Sequence, residues 1–120
     1  MSSPLPLERL MHIRDEVLFL QRCRTRLPDM VALVADEVMS RAIVKSIEII
    51  GEATKNLPTE WREAYPQVQW RNIARMRDKL THHYFDTDFE FVWIVLQEQI
   101  DPLGETIARM LEELPRNSSQ

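Results

Sequence analysis

Glycine, cysteine and long apolar runs are all scarce in this sequence of 120 residues. It contains 2 glycines, and strands joined by tight turns need residues that tolerate positive φ, so a turn-rich β fold is disfavoured. The single Cys23 cannot form a disulfide within the chain, and no charged and then apolar leader opens the sequence. The most apolar stretch, residues 92–96, is far shorter than the roughly 20 residues that cross a bilayer. We therefore expect a cytoplasmic protein without a membrane span.

Positive charge is also in deficit, and the common metal and nucleotide motifs are missing. Lys and Arg number 15 against 19 Asp and Glu, which gives a formal net charge of −4. Non-specific coating of nucleic acid relies on many cationic contacts to phosphate, so any RNA chemistry would need a local basic patch. No cysteine pair, His-x-x-x-His or glycine-rich phosphate loop occurs. We expect no metal site and no cofactor of the chain's own.

The sequence does contain helical periodicity, on the scale of one domain. A chain of this length supports a single hydrophobic core, so we assign residues 1–120 to one domain with flexible ends at about 1–6 and 115–120. Apolar spacing predicts a first helix over residues 7–27. A second is predicted from the N-cap Asp29 to just before Pro58. These two helices should form an antiparallel hairpin.

Two further long helices and a short connector complete the predicted fold. Residues 59–65 allow no more than a turn or two of helix, and a third helix is predicted from near Trp70 to about Thr81 or slightly beyond. The run Thr87-Asp88-Phe89-Glu90 fits a capping box with Thr87 as N-cap, which starts the fourth helix at about Asp88. Pro102 predicts a kink within that helix. The predicted fold is all-α, an antiparallel bundle of four long helices with a short connector helix.

Residues 71–85 are unlike the rest of the chain. Four of the 15 basic residues and two of the 3 histidines fall in this stretch of an otherwise acidic protein. Arg71, Arg75 and Lys79 recur at every fourth position and would form one stripe along a helix. Taken alone, such a stripe is most simply a solvated face, and it is also the candidate RNA-binding patch.

Arg77, His82 and Tyr84 carry the chemical interest of this stretch. They follow the spacing Arg, four residues, His, any residue, Tyr, which resembles the motif of the HepT-like ribonuclease toxins of the HEPN family, and the string RDKLTHHYF is similar nearly throughout. Upstream, Ile50-Gly51-Glu52-Ala53 resembles a run in the family's second helix. The resemblance spans roughly the whole folded part. It implies a homodimeric HEPN fold with a composite cleft between two protomers.

These residue types suit metal-independent RNA cleavage. The imidazole of His82 titrates in the range useful for moving a proton from the ribose 2′-hydroxyl or to the leaving oxygen. The guanidinium of Arg77 suits the charge that accumulates on phosphate oxygens. At roughly 100° per residue the two side chains point about 140° apart on one continuous helix. They converge only if the helix ends between them or if a second copy supplies a partner, and a symmetric dimer with the motif at its interface meets the second condition.

The resemblance also implies a partner enzyme. HepT-like toxins are encoded with an MNT-type nucleotidyltransferase antitoxin that transfers AMP from ATP onto the motif tyrosine, which is Tyr84 in this sequence. Nucleotide phosphates added there would fill the cleft and occupy Arg77. The expected function is the endoribonuclease toxin of a type VII toxin–antitoxin system, with ATP and Mg²⁺ entering only through the partner. No motif specifies the RNA target, and tRNA is one candidate.

One position departs mildly from the family pattern, and two acidic residues are candidate supports of the site. Asp78 stands where relatives commonly have Asn, which places a carboxylate beside the presumed phosphate site and would lower RNA affinity. Glu52, if buried, could orient Arg77. His83 receives no role from the resemblance, and His12 suggests none by its neighbours.

Simpler structural interpretations remain open for each motif residue. Arg77 could pair with a nearby carboxylate, His82 could cap a helix end, and Tyr84 could be an ordinary core aromatic. The alternative function is a non-catalytic helical binding or regulatory subunit of a nucleotidyltransferase. The two functions differ at His82, because only the first requires its imidazole.

Overall fold

The structure is a computed structural model that describes residues 5–80 and 87–118, with side chains described to residue 114. All of the elements that it describes are helical, which confirms the predicted all-α class. In chain order they are α1 (Pro6–Thr25), α2 (Met30–Ala35), α3 (Glu37–Lys55), α4 (Thr59–Ala64), α5 (Trp70–Leu80), α6 (Phe89–Ile94), a π segment (Val95–Gln99) and α7 (Ile100–Ser118). Among them, none combines the length and the apolarity that a membrane crossing requires.

The central pair, α1 and α3, packs antiparallel, as predicted. Near the end of α1, Cys23 lines a groove together with Met39 from the first turn of α3. Near the start of α1, His12 shares a groove with Glu48 from the later part of α3. Between these points the Ser46 hydroxyl donates a hydrogen bond of 3.4 Å to a carbonyl of α1.

The predicted second helix is wrong in one respect, because it is two helices. Asp29 caps α2 as expected, with a side-chain oxygen that accepts from the Ala32 amide at 2.9 Å. Asp36 repeats the same contact, accepting from the Met39 amide at 2.9 Å. Its backbone is extended, with φ −100° and ψ 92°, so the chain leaves the helical path at this residue and enters it again.

The predicted fourth helix is continuous but has three parts: α6, the π segment and α7. Its N-cap is Asp88, which accepts from the Phe91 amide at 3.0 Å, so the assignment of Thr87 as the cap is wrong. The π segment ends three residues before Pro102. Proline lacks an amide and crowds the carbonyl four residues back, and the wider π turn lies where that crowding falls.

Polar side chains tie the π segment to α1. Arg24 Nη1 donates to the Leu96 carbonyl oxygen at 3.0 Å and forms an ion pair of 3.0 Å with Asp101. Gln21 also donates to Asp101, at 2.9 Å. The hydrogen bond from Gln21 is the main cause that lowers the pKa of Asp101, with Arg24 adding to it against partial desolvation.

The connector α4 is anchored at the residues that follow it. Tyr65 is buried, its hydroxyl donates to Glu113 of α7, and its carbonyl oxygen accepts from the indole nitrogen of the buried Trp70 at 2.9 Å. Burial, together with the Glu113 carboxylate, raises the pKa of Tyr65 to about 12. These contacts fix the start of α5 against the bundle.

α5 lies close to α3 at Gly51. A Cβ built on this residue would lie 3.4 Å from the Ala74 carbonyl oxygen and 3.6 Å from the Arg77 Cβ. The two helix backbones are therefore nearly in contact at this level. The residue after Gly51 is Glu52, which places its carboxylate beside the last turns of α5.

Candidate active site

Arg77 is the one motif residue that the described ranges contain. It lies on α5, which is described to Leu80. His82 and Tyr84 lie outside the described residues, as do His83 and Asp86. Arg77 and the side chains around it therefore define the described part of the site.

Arg77 is held between two carboxylates. Its Nη1 donates to Oε2 of Glu52, and its Nε lies 3.9 Å from Oδ1 of Asp78. The side chains of Arg77 and Glu52 are 43% and 50% exposed, so the pair lies at the surface. The pairing of Arg77 with these carboxylates is thus observed, and Glu52 does contact the motif arginine, but it does so without being buried.

Two grooves meet at Arg77. The first, which we call the mixed groove, has a volume of about 460 Å³ and is lined by Arg9, His12, Lys45, Glu48, Ile49, Glu52, Ala53 and Arg77. It brings His12 of α1 to the neighbourhood of the motif arginine. Sequence reasoning assigned His12 no role, because nothing in its local neighbours connects it to a residue of α5.

The second, which we call the basic groove, shares Arg77 with the mixed groove. It has a volume of about 440 Å³ and is lined by Lys55, Arg62, Arg71, Ala74, Arg75, Arg77 and Asp78. Of the described residues that line it, five are cationic and one is a carboxylate, in a protein whose net charge is −4. Lys55 and Arg62 were missed by sequence reasoning, since neither belongs to the stripe along α5.

The predicted basic stripe is divided by the structure. Arg71 and Arg75 both line the basic groove. Lys79 does not line it, and its ammonium lies 4.8 Å from the centroid of the Phe91 ring, within range of a cation–π contact. Each fourth position on an α-helix drifts by about 40° around the axis, so by the third member the stripe has turned toward α6.

The chemistry available in the described part is anion binding. Arg77 presents a guanidinium whose present partners are exposed carboxylates, and phosphate oxygens can replace these at little cost. Across residues 5–80 and 87–114, no cluster of three or more His, Cys, Asp or Glu side chains is arranged to hold a metal ion.

Arg77 is exposed and lines two grooves, one of which is strongly basic. Such a surface on an all-α domain is typical of a protein that binds a polyanion such as RNA. The chain belongs to the HepT-like ribonuclease family, whose model, described as "Ribonuclease HepT-like", matches residues 13–110. This membership confirms the predicted family and the predicted endoribonuclease class.

Individual relatives agree with the family model. The chain is 41% identical over 113 residues to "Putative RNase TTE0752" of Caldanaerobacter subterraneus subsp. tengcongensis, covering 94% of this chain and 98% of that protein. It is 45% identical over 79 residues to "Putative RNase MJ0127" of Methanocaldococcus jannaschii, covering 66% and 65%. It is 41% identical over 70 residues to "Probable ribonuclease HepT" of Thermococcus cleftensis, covering 58% and 64%. No solved structure matches the chain significantly.

Proposed function

We propose that this protein is the metal-independent endoribonuclease toxin of a type VII toxin–antitoxin system, acting in the cytoplasm as a homodimer. Membership of the HepT-like ribonuclease family supports the reaction class. The observation that carries the proposal is the placement of Arg77, at the surface, where the mixed groove and the basic groove meet. A guanidinium in this position can bind a phosphodiester that enters from either groove.

In the proposed reaction, Arg77 binds non-bridging oxygens of the scissile phosphate and stabilises the charge that develops on them. His82 moves the proton: an imidazole takes it from the 2′-hydroxyl as the 2′ oxygen bonds to phosphorus. The bond from phosphorus to the 5′ oxygen then breaks, and that oxygen receives a proton. If a symmetric dimer has the motif at its interface, Arg77 of one subunit can act with His82 of the other, and the same imidazole that takes the proton from the 2′-hydroxyl can return it to the 5′ oxygen.

Neighbouring side chains support Arg77 in this proposal. Glu52 orients the guanidinium while the cleft is empty and yields it to phosphate when RNA arrives. Asp78, beside Arg77, opposes the substrate and sets a limit on its affinity. Arg71, Arg75 and Lys79 form the RNA-binding patch, with Lys79 at its edge because its ammonium already lies over Phe91.

Regulation is proposed to act on Tyr84. An MNT-type nucleotidyltransferase antitoxin would transfer AMP from ATP to the Tyr84 hydroxyl, releasing pyrophosphate and forming a phosphodiester. The attached nucleotide would compete with RNA for Arg77. Intact mass of the chain after co-expression with the nucleotidyltransferase encoded beside it should rise by whole AMP units, and Tyr84→Phe should prevent the increase.

The shared site is tested by subunit complementation. Arg77→Ala and His82→Ala homodimers should each leave RNA uncut, because each lacks one essential group. If a site combines Arg77 of one subunit with His82 of the other, an equal mixture of the two variants should recover about a quarter of wild-type cleavage.

Two results would contradict these proposals. If each subunit supplies both groups to its own site, the mixture stays inactive and the composite site is wrong. If purified wild-type protein leaves a panel of RNAs that includes tRNA uncut, and its expression is harmless, the nuclease proposal is wrong. The protein is then the non-catalytic binding or regulatory subunit of a nucleotidyltransferase.

A further inference from the structure

We propose that the basic groove binds the sugar-phosphate backbone of the RNA substrate next to the scissile phosphate, with Lys55 and Arg62 as direct phosphate contacts. This deepens the proposed function and rests on it. It adds Lys55 of α3 and Arg62 of α4 to the stripe on α5. It also implies that the RNA strand runs from Arg77 into the basic groove.

Cationic side chains from three helices converge on the basic groove. Lys55 is the last residue of α3, Arg62 lies in α4, and Arg71 and Arg75 lie on one face of α5. Lys55 and Arg62 are distant from the stripe along the chain, and the packing of α3 against α5 and the course of the chain through α4 bring them to the same groove. The groove is thus a concave surface built by the fold, and Asp78, next to Arg77, is the one carboxylate among its described lining residues.

Four of the five cations that line the groove have no ion-pair partner among the described residues. In residues 5–80 and 87–114, no carboxylate oxygen lies within 4.0 Å of a charged nitrogen of Lys55, Arg62, Arg71 or Arg75. Arg14 and Arg24, by contrast, each contact an aspartate. Four cations held near one another without counter-charges repel, and an incoming polyanion relieves that repulsion.

The guanidinium of Arg62 has few partners within the protein. One of its terminal nitrogens donates to the Thr59 hydroxyl at 3.4 Å, and its Nε is buried without a hydrogen-bond partner in the described part of the chain. An unsatisfied donor of this kind leaves the guanidinium weakly held where it is. Moving it to form two hydrogen bonds with a phosphate therefore costs little and satisfies its donors.

The lining of the basic groove indicates which kind of anion fits it. The groove shares Arg77 with the proposed cleavage site, so a strand whose scissile phosphate lies at Arg77 continues directly into it. Among the described residues that line the groove, Ala74 is the single apolar side chain and none carries an aromatic ring for stacking. The groove therefore fits the backbone of the strand and leaves the bases unread, so its contribution should be independent of RNA sequence.

The test measures binding of a short fluorescein-labelled RNA of mixed sequence to the full-length protein carrying His82→Ala, which leaves the probe uncut. Lys55→Gln and Arg62→Gln are compared with Arg14→Gln, which removes the same charge outside the groove. Each groove variant should raise Kd about two- to fivefold. Each should also reduce the slope of log K against log salt by about 0.7, the value for one lost single-strand phosphate contact. Arg14→Gln should change neither quantity beyond error.

Cleavage by the same variants with His82 intact separates this inference from the proposed function. Lys55→Gln and Arg62→Gln should raise KM and leave kcat at saturating RNA unchanged. If wild-type protein cuts RNA but the groove variants behave like Arg14→Gln, the groove is wrong and the nuclease stands. If wild-type protein cuts nothing but the groove variants still weaken RNA binding, the groove stands and the nuclease is wrong.

Two competing ligands and a control for folding complete the experiment. Inorganic pyrophosphate that displaces the probe as well, per phosphate, as unlabelled RNA would show a small-anion site and overturn the inference. An acidic peptide that displaces it equally well would do the same. Thermal melts check folding, and Lys55, which is exposed, gives a variant that tests the groove if Arg62→Gln fails to fold.

Discussion

At the scale of single residues, Arg77 is positioned by contacts that are easily exchanged. Its ion pair with Glu52 is close to half exposed on both sides, and exposed pairs contribute about 0.2–1 kcal/mol to stability. Such a contact selects an orientation for the guanidinium without holding it against a competing phosphate. The same geometry would be unsuitable in a buried site, where leaving the carboxylate unpaired would cost several times as much.

Glu52→Gln tests whether this orientation matters for catalysis. The substitution keeps the shape of the side chain and removes the charge that attracts Arg77, so we expect kcat for RNA cleavage to fall about tenfold, as for a mispositioned catalytic group. The free energy of unfolding should fall by less than about 1 kcal/mol, because the pair is exposed. Glu48→Gln, one turn earlier in the same groove, is the control and should leave kcat unchanged. Equal kcat for both variants and wild type would show that Glu52 has no positioning role.

Asp78→Asn tests the opposing carboxylate. Removing a negative charge that lies 3.9 Å from Arg77 and lines the basic groove should strengthen RNA binding about two- to fivefold, and the gain should shrink as salt is raised. Asp15→Asn, on α1 and paired with Arg14, is the matched control. Binding curves at two salt concentrations measure both. Weaker binding by the Asp78 variant would show that this carboxylate supports the site.

Residues of the site that are near one another along the chain were predictable, and those brought together by packing were not. The spacing of Arg77, His82 and Tyr84 is a local pattern, so it can be read from the sequence. His12 and Lys55 share grooves with Arg77 only because α1 packs on α3 and α3 packs on α5, and a single sequence does not reveal which helix faces meet.

At the scale of elements, helix ends that have a local sequence signal were predictable, and those without one were not. Asp29 was recognised as a cap because a proline precedes it, whereas Asp36 sits in a run whose apolar spacing continues on both sides. Both carboxylates accept from an amide three residues later, so the chemistry is the same and only the surrounding pattern differs. Pro102 indicated an irregular helix, and the π segment includes the residue four positions before it, but the proline alone does not reveal that the irregularity is a widened turn.

Acid should weaken the junction between α1 and the π segment. Because the pKa of Asp101 is lowered by folding, its carboxylate contributes stability that is present above its unfolded value of about 3.9 and is lost as pH falls through the lower, folded value. At pH 7, Asp101→Asn should therefore be less stable than wild type. Below about pH 3.9 the difference between the two should shrink. Urea unfolding at a series of pH values measures it, and a difference that does not change with pH would contradict this linkage.

Arg24→Met should destabilise the same junction at every pH. It removes the donor to the Leu96 carbonyl as well as the partner of Asp101, and we expect a loss of about 1–2 kcal/mol in the free energy of unfolding. Urea unfolding at neutral pH measures it. Arg22→Met, on the same helix and without an aspartate contact within 4.0 Å among the described residues, is the control.

The two glycines should respond differently to alanine. A Cβ on Gly104 would lie 2.9 Å from Cγ1 of the buried Val17, so Gly104→Ala forces α1 and α7 apart and should lower the free energy of unfolding by about 1 kcal/mol after the gain in helix propensity. On Gly51 the nearest atom would be 3.4 Å away, an ordinary contact. Gly51→Ala should therefore be neutral or stabilise by up to about 1 kcal/mol. Equal effects at both positions would contradict this geometry.

At the scale of the whole molecule, the all-α bundle and the ribonuclease family were both predictable from the sequence. Helical periodicity and the scarcity of glycine indicated the first, and a short motif with a second matching run indicated the second. The dimer remains a proposal, inferred from the resemblance to the HEPN family and from the angle that one continuous helix would place between Arg77 and His82. The complementation experiment is the measurement that decides it.

Charge is distributed very unevenly over a body measuring 50 × 28 × 25 Å. The protein is acidic overall, yet five of its cations line one concave surface. An approaching RNA is repelled from most directions and attracted from one, so the molecule should rotate toward its ligand before the two touch. The association rate constant should consequently decrease steeply with ionic strength, although the protein and its ligand carry net charges of the same sign.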